Sequence, residues 1–89
     1  MNLGLDYDGT YTLDPEFWNE VISLANKSGH RIAIVTKRGP SNQGPIQHNV
    51  ECPVIYCDRA AKLLYCRDHL GIQIDVWIDD SPQNLYEAG

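Results

Sequence analysis

The sequence predicts an α/β protein: one parallel sheet of about four short strands with helices packed on it. Three observations predict this. Four apolar runs, at residues 3–6, 30–36, 53–57 and 74–78, are short enough for strands and suit a sheet covered on both faces. Helix-length segments separate the first run from the second and the third from the fourth, the layout of strand–helix–strand crossovers, which are right-handed. The runs end in chemistry-bearing side chains, Asp6 with Asp8, Thr36, and Asp79 with Asp80. In open α/β sheets ligands bind outside the carboxyl ends of the strands.

The first run passes into Asp6-Tyr7-Asp8-Gly9-Thr10. Gly9 permits a sharp turn through positive φ. Two carboxylates one residue apart repel unless one holds a proton or a cation lies between them. A hard cation such as Mg2+, which prefers carboxylate oxygen, resolves that conflict.

Asp14-Pro15-Glu16 reads as a helix start: Asp14 caps, Pro15 suits the first helical position, and Glu16 complements the helix dipole. Phe17, Val21, Leu24 and Ala25 are expected to face the sheet, flanked by Trp18 and Ile22, with Gly29 as the left-handed end. The second strand ends at Thr36, a small hydroxyl donor for a phosphate oxygen. Lys37 and Arg38 follow as cationic donors, Arg38 with its planar fork. Residues 39–49, with two glycines and two prolines, predict an irregular loop in which His48 is a solvated histidine.

Pro53 opens the third strand, where the ladder tolerates proline. Asp58 or Arg59 is expected to start a helix over 60–70, with Leu63, Leu64 and Leu70 as its apolar face and Gly71 closing it. Lys62 lies in that helix's first turn, where the dipole disfavours a cation, so the charge there hints at a role. The fourth strand leads to Asp79-Asp80-Ser81, read either as ligating acids or as the cap of a short helix entered at Ser81-Pro82.

Eighty-nine residues predict a single domain, 1–89, that buries somewhat over ~60% of its unfolded surface. A hydrophobic content of 43% with 21% charged residues is ordinary for a globular chain. No apolar run nears the roughly 18–20 residues of a membrane span and no signal peptide is evident, so a cytoplasmic protein is expected, with no membrane partner. A net charge of −5 argues against nonspecific nucleic-acid binding. It does not exclude a small phosphorylated substrate, because a bound cation inverts the local field. Cys52, Cys57 and Cys66 are an odd number without a CxxC pair, so reduced, partly buried thiols are expected over a zinc site with His69.

Asp6-Tyr7-Asp8-Gly9-Thr10 resembles the DxDGT signature of the haloacid dehalogenase superfamily, most of whose members are phosphatases. The resemblance continues in order along the chain, with Thr36, Lys62 and the acidic pair Asp79-Asp80 at the positions of the family's later motifs. It implies a three-layer, Rossmann-like parallel sheet in strand order 3-2-1-4, as a minimal core without the cap domain that usually covers the substrate. It further implies Asp6 as nucleophile and Asp8 as general acid/base, with Lys62 steadying the charge between nucleophile and phosphoryl group. Thr36, Gly9 and Arg38 would meet the phosphate. Asp6, the backbone carbonyl of Asp8, and Asp80 would ligate Mg2+, with Asp79 direct or through water.

The implied activity is phosphomonoester hydrolysis through an aspartyl-phosphate. The wording Trp77-Ile78-Asp79-Asp80 resembles small phage and bacterial members and the deoxyribonucleotidase group, which brings in a nucleotidase. A phosphate- or metal-binding scaffold without turnover is the alternative. A receiver-like protein phosphorylated on Asp58 is a third, since receivers carry their phospho-acceptor at the end of the third strand. An exposed fourth strand would favour a homodimer, with Trp77 and Tyr86 as contacts.

Overall fold

The computed structural model, which describes residues 1–89, gathers the four apolar runs into one all-parallel sheet. Its strands are β1 (Asn2–Leu5), β2 (Arg31–Thr36), β3 (Val54–Tyr56) and β4 (Val76–Ile78), in the order β3-β2-β1-β4. Leu5 pairs in register with Ile34 on one side and Ile78 on the other, so β1, β2 and β4 deliver their next residues to one edge. Two helices cover the sheet, α1 (Pro15–Lys27) and α2 (Lys62–His69). Strand alternation splits the core accordingly. Leu5, Ile32 and Ile34 pack with Ile22 and Ala25 of α1, whereas Val35 and Cys57 pack with Cys66 of α2. This is the Rossmann-like arrangement of helix, parallel sheet and helix.

Local chemistry explains the boundaries. Asp14 caps α1 by accepting from the Phe17 amide at 3.2 Å, Pro15 follows at the first position, and Gly29 takes φ +80° just past the end. The inward face of α1 differs from expectation. Trp18, Ile22 and Ala25 turn to the sheet, while Phe17 and Leu24 are 51% and 65% exposed. Both triplets share the same helical spacing, so periodicity does not separate them. The tight turn Tyr11–Leu13, which buries Tyr11 against Tyr7, leads directly into the helix.

The face of α2 also departs from expectation. Lys62 and Cys66 point inward, Leu63 and Leu64 are half-buried, and Leu70 is exposed. Neither Asp58 nor Arg59 starts this helix. Both hold positive φ, 48° and 74°, and Ala61 occupies the cap position. The Asp58 carboxylate instead accepts from the Ser41 amide and hydroxyl, so it ties down the loop after β2.

The loop 39–49 is irregular, as predicted. His48 differs from expectation: although exposed, its Nδ1 lies 2.6 Å from the hydroxyl of buried Tyr7. All three cysteines are free thiols, and burial pushes the Cys57 thiol up to about 12. No helix is long and apolar enough to cross a membrane.

β4 is a sheet edge and Tyr86 is exposed, but Trp77 is no free edge contact. Its ring lies over Gly4 of β1, where an added Cβ would come within 2.8 Å of the indole carbon Cε3 and 3.1 Å of Ile74 Cγ2. Gly4→Ala is therefore expected to force the indole aside and cost ~1–3 kcal/mol, the range for overpacking. Urea unfolding followed by Trp fluorescence measures it, and an unchanged midpoint would contradict the packing described.

Candidate active site

The chain leaves β1 at Leu5 and turns at once, with Gly9 at φ +85°. Glycine is needed there for space as well as for conformation, since a Cβ at Gly9 would lie 2.5 Å from Asp80 Oδ2. The Asp80 carboxylate thus closes on the turn that carries Asp6 and Asp8.

Asp6 is buried and held from three sides. Lys62 Nζ donates to its Oδ1 at 2.6 Å, the Thr10 hydroxyl donates to its Oδ2 at 3.0 Å, and Asp80 crowds it. The same Lys62 Nζ donates to Asp79 Oδ2 at 2.6 Å, and Asp79 Oδ1 accepts from the Ser81 amide at 2.9 Å. Asp79 therefore both pairs with the lysine and shapes the entry to the short turn Pro82–Leu85. Neither acid caps that turn: Ser81 holds the cap position without a side-chain cap bond, and Asp79 accepts from the Ser81 amide just before it.

Burial, then the adjacent Asp80 carboxyl, push Asp6 up to about 6 against the pull of Lys62. Burial alone would lower the Lys62 ammonium, but its hydrogen bonds to Asp6 and Asp79 outweigh that and raise it. Oxygens of Asp6, Asp79 and Asp80 lie within 4.8 Å of one another, the one convergence of metal-ligating side chains in the molecule. One ammonium among three carboxylates leaves two negative charges uncompensated. That is a donor set of hard oxygens with the charge deficit of a divalent cation, and it fits a hard ion of the Mg2+ or Ca2+ kind.

No family model, curated protein or solved structure matches this chain.

Asp8 stands apart from the acidic group. Its carboxylate is clasped bidentately by Arg38, Nε to Oδ2 and the second guanidinium nitrogen to Oδ1, both at 2.9 Å. Arg38 also lies over the Tyr7 ring, 5.1 Å from its centroid, and donates to the Gln43 and Pro45 carbonyls. Its guanidinium fork is therefore engaged by Asp8. Thr36 is buried, and its hydroxyl oxygen accepts from the Arg38 amide, which leaves the O–H hydrogen free to donate.

Asp6, Asp8, Thr36, Arg38, Lys62 and Asp80 all line one cleft of about 420 Å³. Asp58 lies outside it. Of the residues that matter here, sequence patterns did not assign roles to Thr10 or Tyr7. Thr10 sits within the first motif, and its hydroxyl four residues after Asp6 was the available signal.

The Asp6 environment has a pH signature. Its raised value means the native chain keeps a proton that the unfolded chain loses near pH 4. Stability of the metal-free protein is therefore expected to fall as pH rises from about 4 to about 7, by ~3 kcal/mol for a shift of this size. The lowered carboxyls, Asp58 through the Ser41 hydroxyl and Asp68 through Arg67, titrate below that window. Urea midpoints at pH 4.5 and 7.5 test this, and magnesium should restore the loss at the higher pH. Equal midpoints without metal would refute it.

Proposed function

We propose that this chain is a magnesium-dependent phosphohydrolase of the haloacid dehalogenase type, acting on phosphate monoesters through an aspartyl-phosphate on Asp6. The observation that carries the reading is the grip on Asp6. A carboxylate held at a strand end by Lys62 and Thr10, and crowded by Asp80, is a fixed nucleophile beside a divalent-cation donor set. Mg2+ would be held by Asp6 and Asp80, with the Asp8 carbonyl and Asp79 as further donors, and it would neutralise charge on the phosphoryl oxygens.

Lys62 offsets the repulsion between Asp6 and a phosphate dianion, and fixed charge of this kind supplies much of the rate in such reactions. The Asp6 oxygen attacks phosphorus, the ester oxygen leaves, and Asp8 gives that oxygen its proton. Asp8 then takes a proton from water, which attacks the aspartyl-phosphate, releases inorganic phosphate and regenerates Asp6. Splitting one displacement into two is the advantage of the covalent route. The Thr36 hydroxyl donates to a phosphoryl oxygen. A phosphate dianion offers the Arg38 guanidinium a competing partner, and release of that clasp would free Asp8 to take up the proton it gives to the leaving oxygen.

The Asp8–Arg38 clasp favours a second reading, a metal- and phosphate-binding domain without turnover, because it engages the acid and the free cation at once. Phosphate release from para-nitrophenyl phosphate with and without magnesium separates the two. Metal-dependent release supports the hydrolase. Calorimetric magnesium binding with no release on any phosphate monoester supports the binder. Labelling by acetyl phosphate at Asp58 instead of Asp6 would overturn both. The Asp58 carboxylate, engaged by Ser41 and Asn42, has no counterpart of the acidic donor set around Asp6.

A further inference from the structure

The cleft around Asp6 extends beyond the groups that the proposed chemistry uses. It concentrates cations in an acidic protein, since Lys37, Arg38, Arg59 and Lys62, four of the chain's seven basic residues, line it. Arg38 and Lys62 are paired with carboxylates. Lys37 and Arg59 have no carboxylate partner. Lys37 Nζ donates to the Glu87 carbonyl, and the Arg59 guanidinium donates to the Ser41 hydroxyl and carbonyl. Arg59 is also held at φ +74°, next to Asp58 at φ +48°, in a region that costs a non-glycine residue energy and persists where the surroundings enforce it. The two Ser41 contacts hold this guanidinium at the cleft.

None of the residues lining the cleft is hydrophobic. A nucleobase binds by stacking on aromatic or apolar faces. The ring beneath Arg38, Tyr7, is 1% exposed.

We propose that Lys37 and Arg59 form a second anion subsite, and that the substrate is a small bisphosphorylated sugar or polyol. The inference rests on the phosphohydrolase reading for its reacting phosphate. One phosphate ester is cleaved: its P–O bond breaks, phosphorus passes to Asp6 and then to a water oxygen, and the alkoxide takes the proton from Asp8. The other phosphate stays on the product and is held by Lys37 and Arg59.

The test compares kcat/KM, with magnesium, for fructose 1,6-bisphosphate, fructose 6-phosphate and thymidine 5′-monophosphate. The wild-type chain should prefer the bisphosphate at least ~10-fold, and Lys37→Gln with Arg59→Gln should reduce that preference ~10-fold, chiefly through KM, as loss of charge-assisted bonds does. Glutamine retains hydrogen bonding at both rim positions, and circular dichroism checks the fold. Equal use of mono- and bisphosphate, preference for the nucleotide, or a proportional loss on all substrates would overturn the proposal. If none of the three, nor para-nitrophenyl phosphate, is turned over, the hydrolase reading fails by itself. Calorimetric titration of fructose 1,6-bisphosphate into both proteins then decides the subsite: binding weakened in the variant supports it, and absent or equal binding overturns it.

Discussion

Replacing Asp6 by asparagine is expected to abolish phosphate release while leaving the protein folded. The side chain keeps its size, its oxygen can still accept from Lys62 Nζ, and its new amide group faces the Asp80 carboxylate and the rotatable Thr10 hydroxyl. Without a carboxylate no aspartyl-phosphate forms, and losing the nucleophile of a concerted site costs ~10^4-fold or more in kcat. The substitution also removes a buried charge that is disfavoured at neutral pH. The metal-free variant should therefore lose the decline in stability between about pH 4 and pH 7, because the group that titrates there is gone. Stopped-time phosphate assays and urea unfolding at two pH values read the two effects separately. Residual activity within tenfold of wild type would exclude Asp6 as the nucleophile.

Lys62→Met is expected to give the largest loss of stability from a single substitution. The ammonium is 1% exposed and bonded to two carboxylates that are themselves almost fully buried. Methionine fills much of the volume but leaves Asp6 and Asp79 facing one another with Asp80 close by. Removing one partner of a buried ion pair costs ~3–5 kcal/mol, most of it the cost of stranding the other charge. For a domain this short, total stability is on the order of 5–10 kcal/mol, so the variant should lose roughly half of it and melt well below the wild type. Relief of the cation–dipole conflict at the start of α2 returns only ~0.5 kcal/mol. Adding Asp6→Asn and Asp79→Asn to the same chain should recover most of the loss, because the stranded charges are then gone. Thermal melts of the single and triple variants test this. A single variant that melts with wild type would show that the lysine is not the counter-ion of this core.

The strands, the capped start of α1, the irregular loop after β2 and the reduced cysteines were legible along the chain, because each depends on local rules. Short apolar runs, a cap followed by proline, glycine at a helix end and unpaired cysteine spacing all act over a few residues. The strand order came through resemblance, and the sheet adopts it. The stripe of α1 was illegible because Phe17, Val21 and Leu24 repeat with the spacing of Trp18, Ile22 and Ala25. Only the tertiary packing shows which triplet faces the sheet.

The sequence by itself determined which side chains reach the carboxyl edge: Asp6, Asp8, Thr36, Asp79 and Asp80 follow strand ends whatever their neighbours are, and Lys62 opens α2. Their partners were decided by the tertiary structure alone. Lys62 lies 56 residues from Asp6, and Arg38 lies 30 from Asp8. Such pairs form because parallel strands in the order β3-β2-β1-β4 bring distant ends together, and because the buried carboxylates of Asp6 and Asp79 need the Lys62 ammonium as counter-charge. Arg38 was read as a phosphate donor from its position. Nothing in the spacing shows that Asp8 holds its fork, since that contact is made only when the loop after β2 folds back over Tyr7.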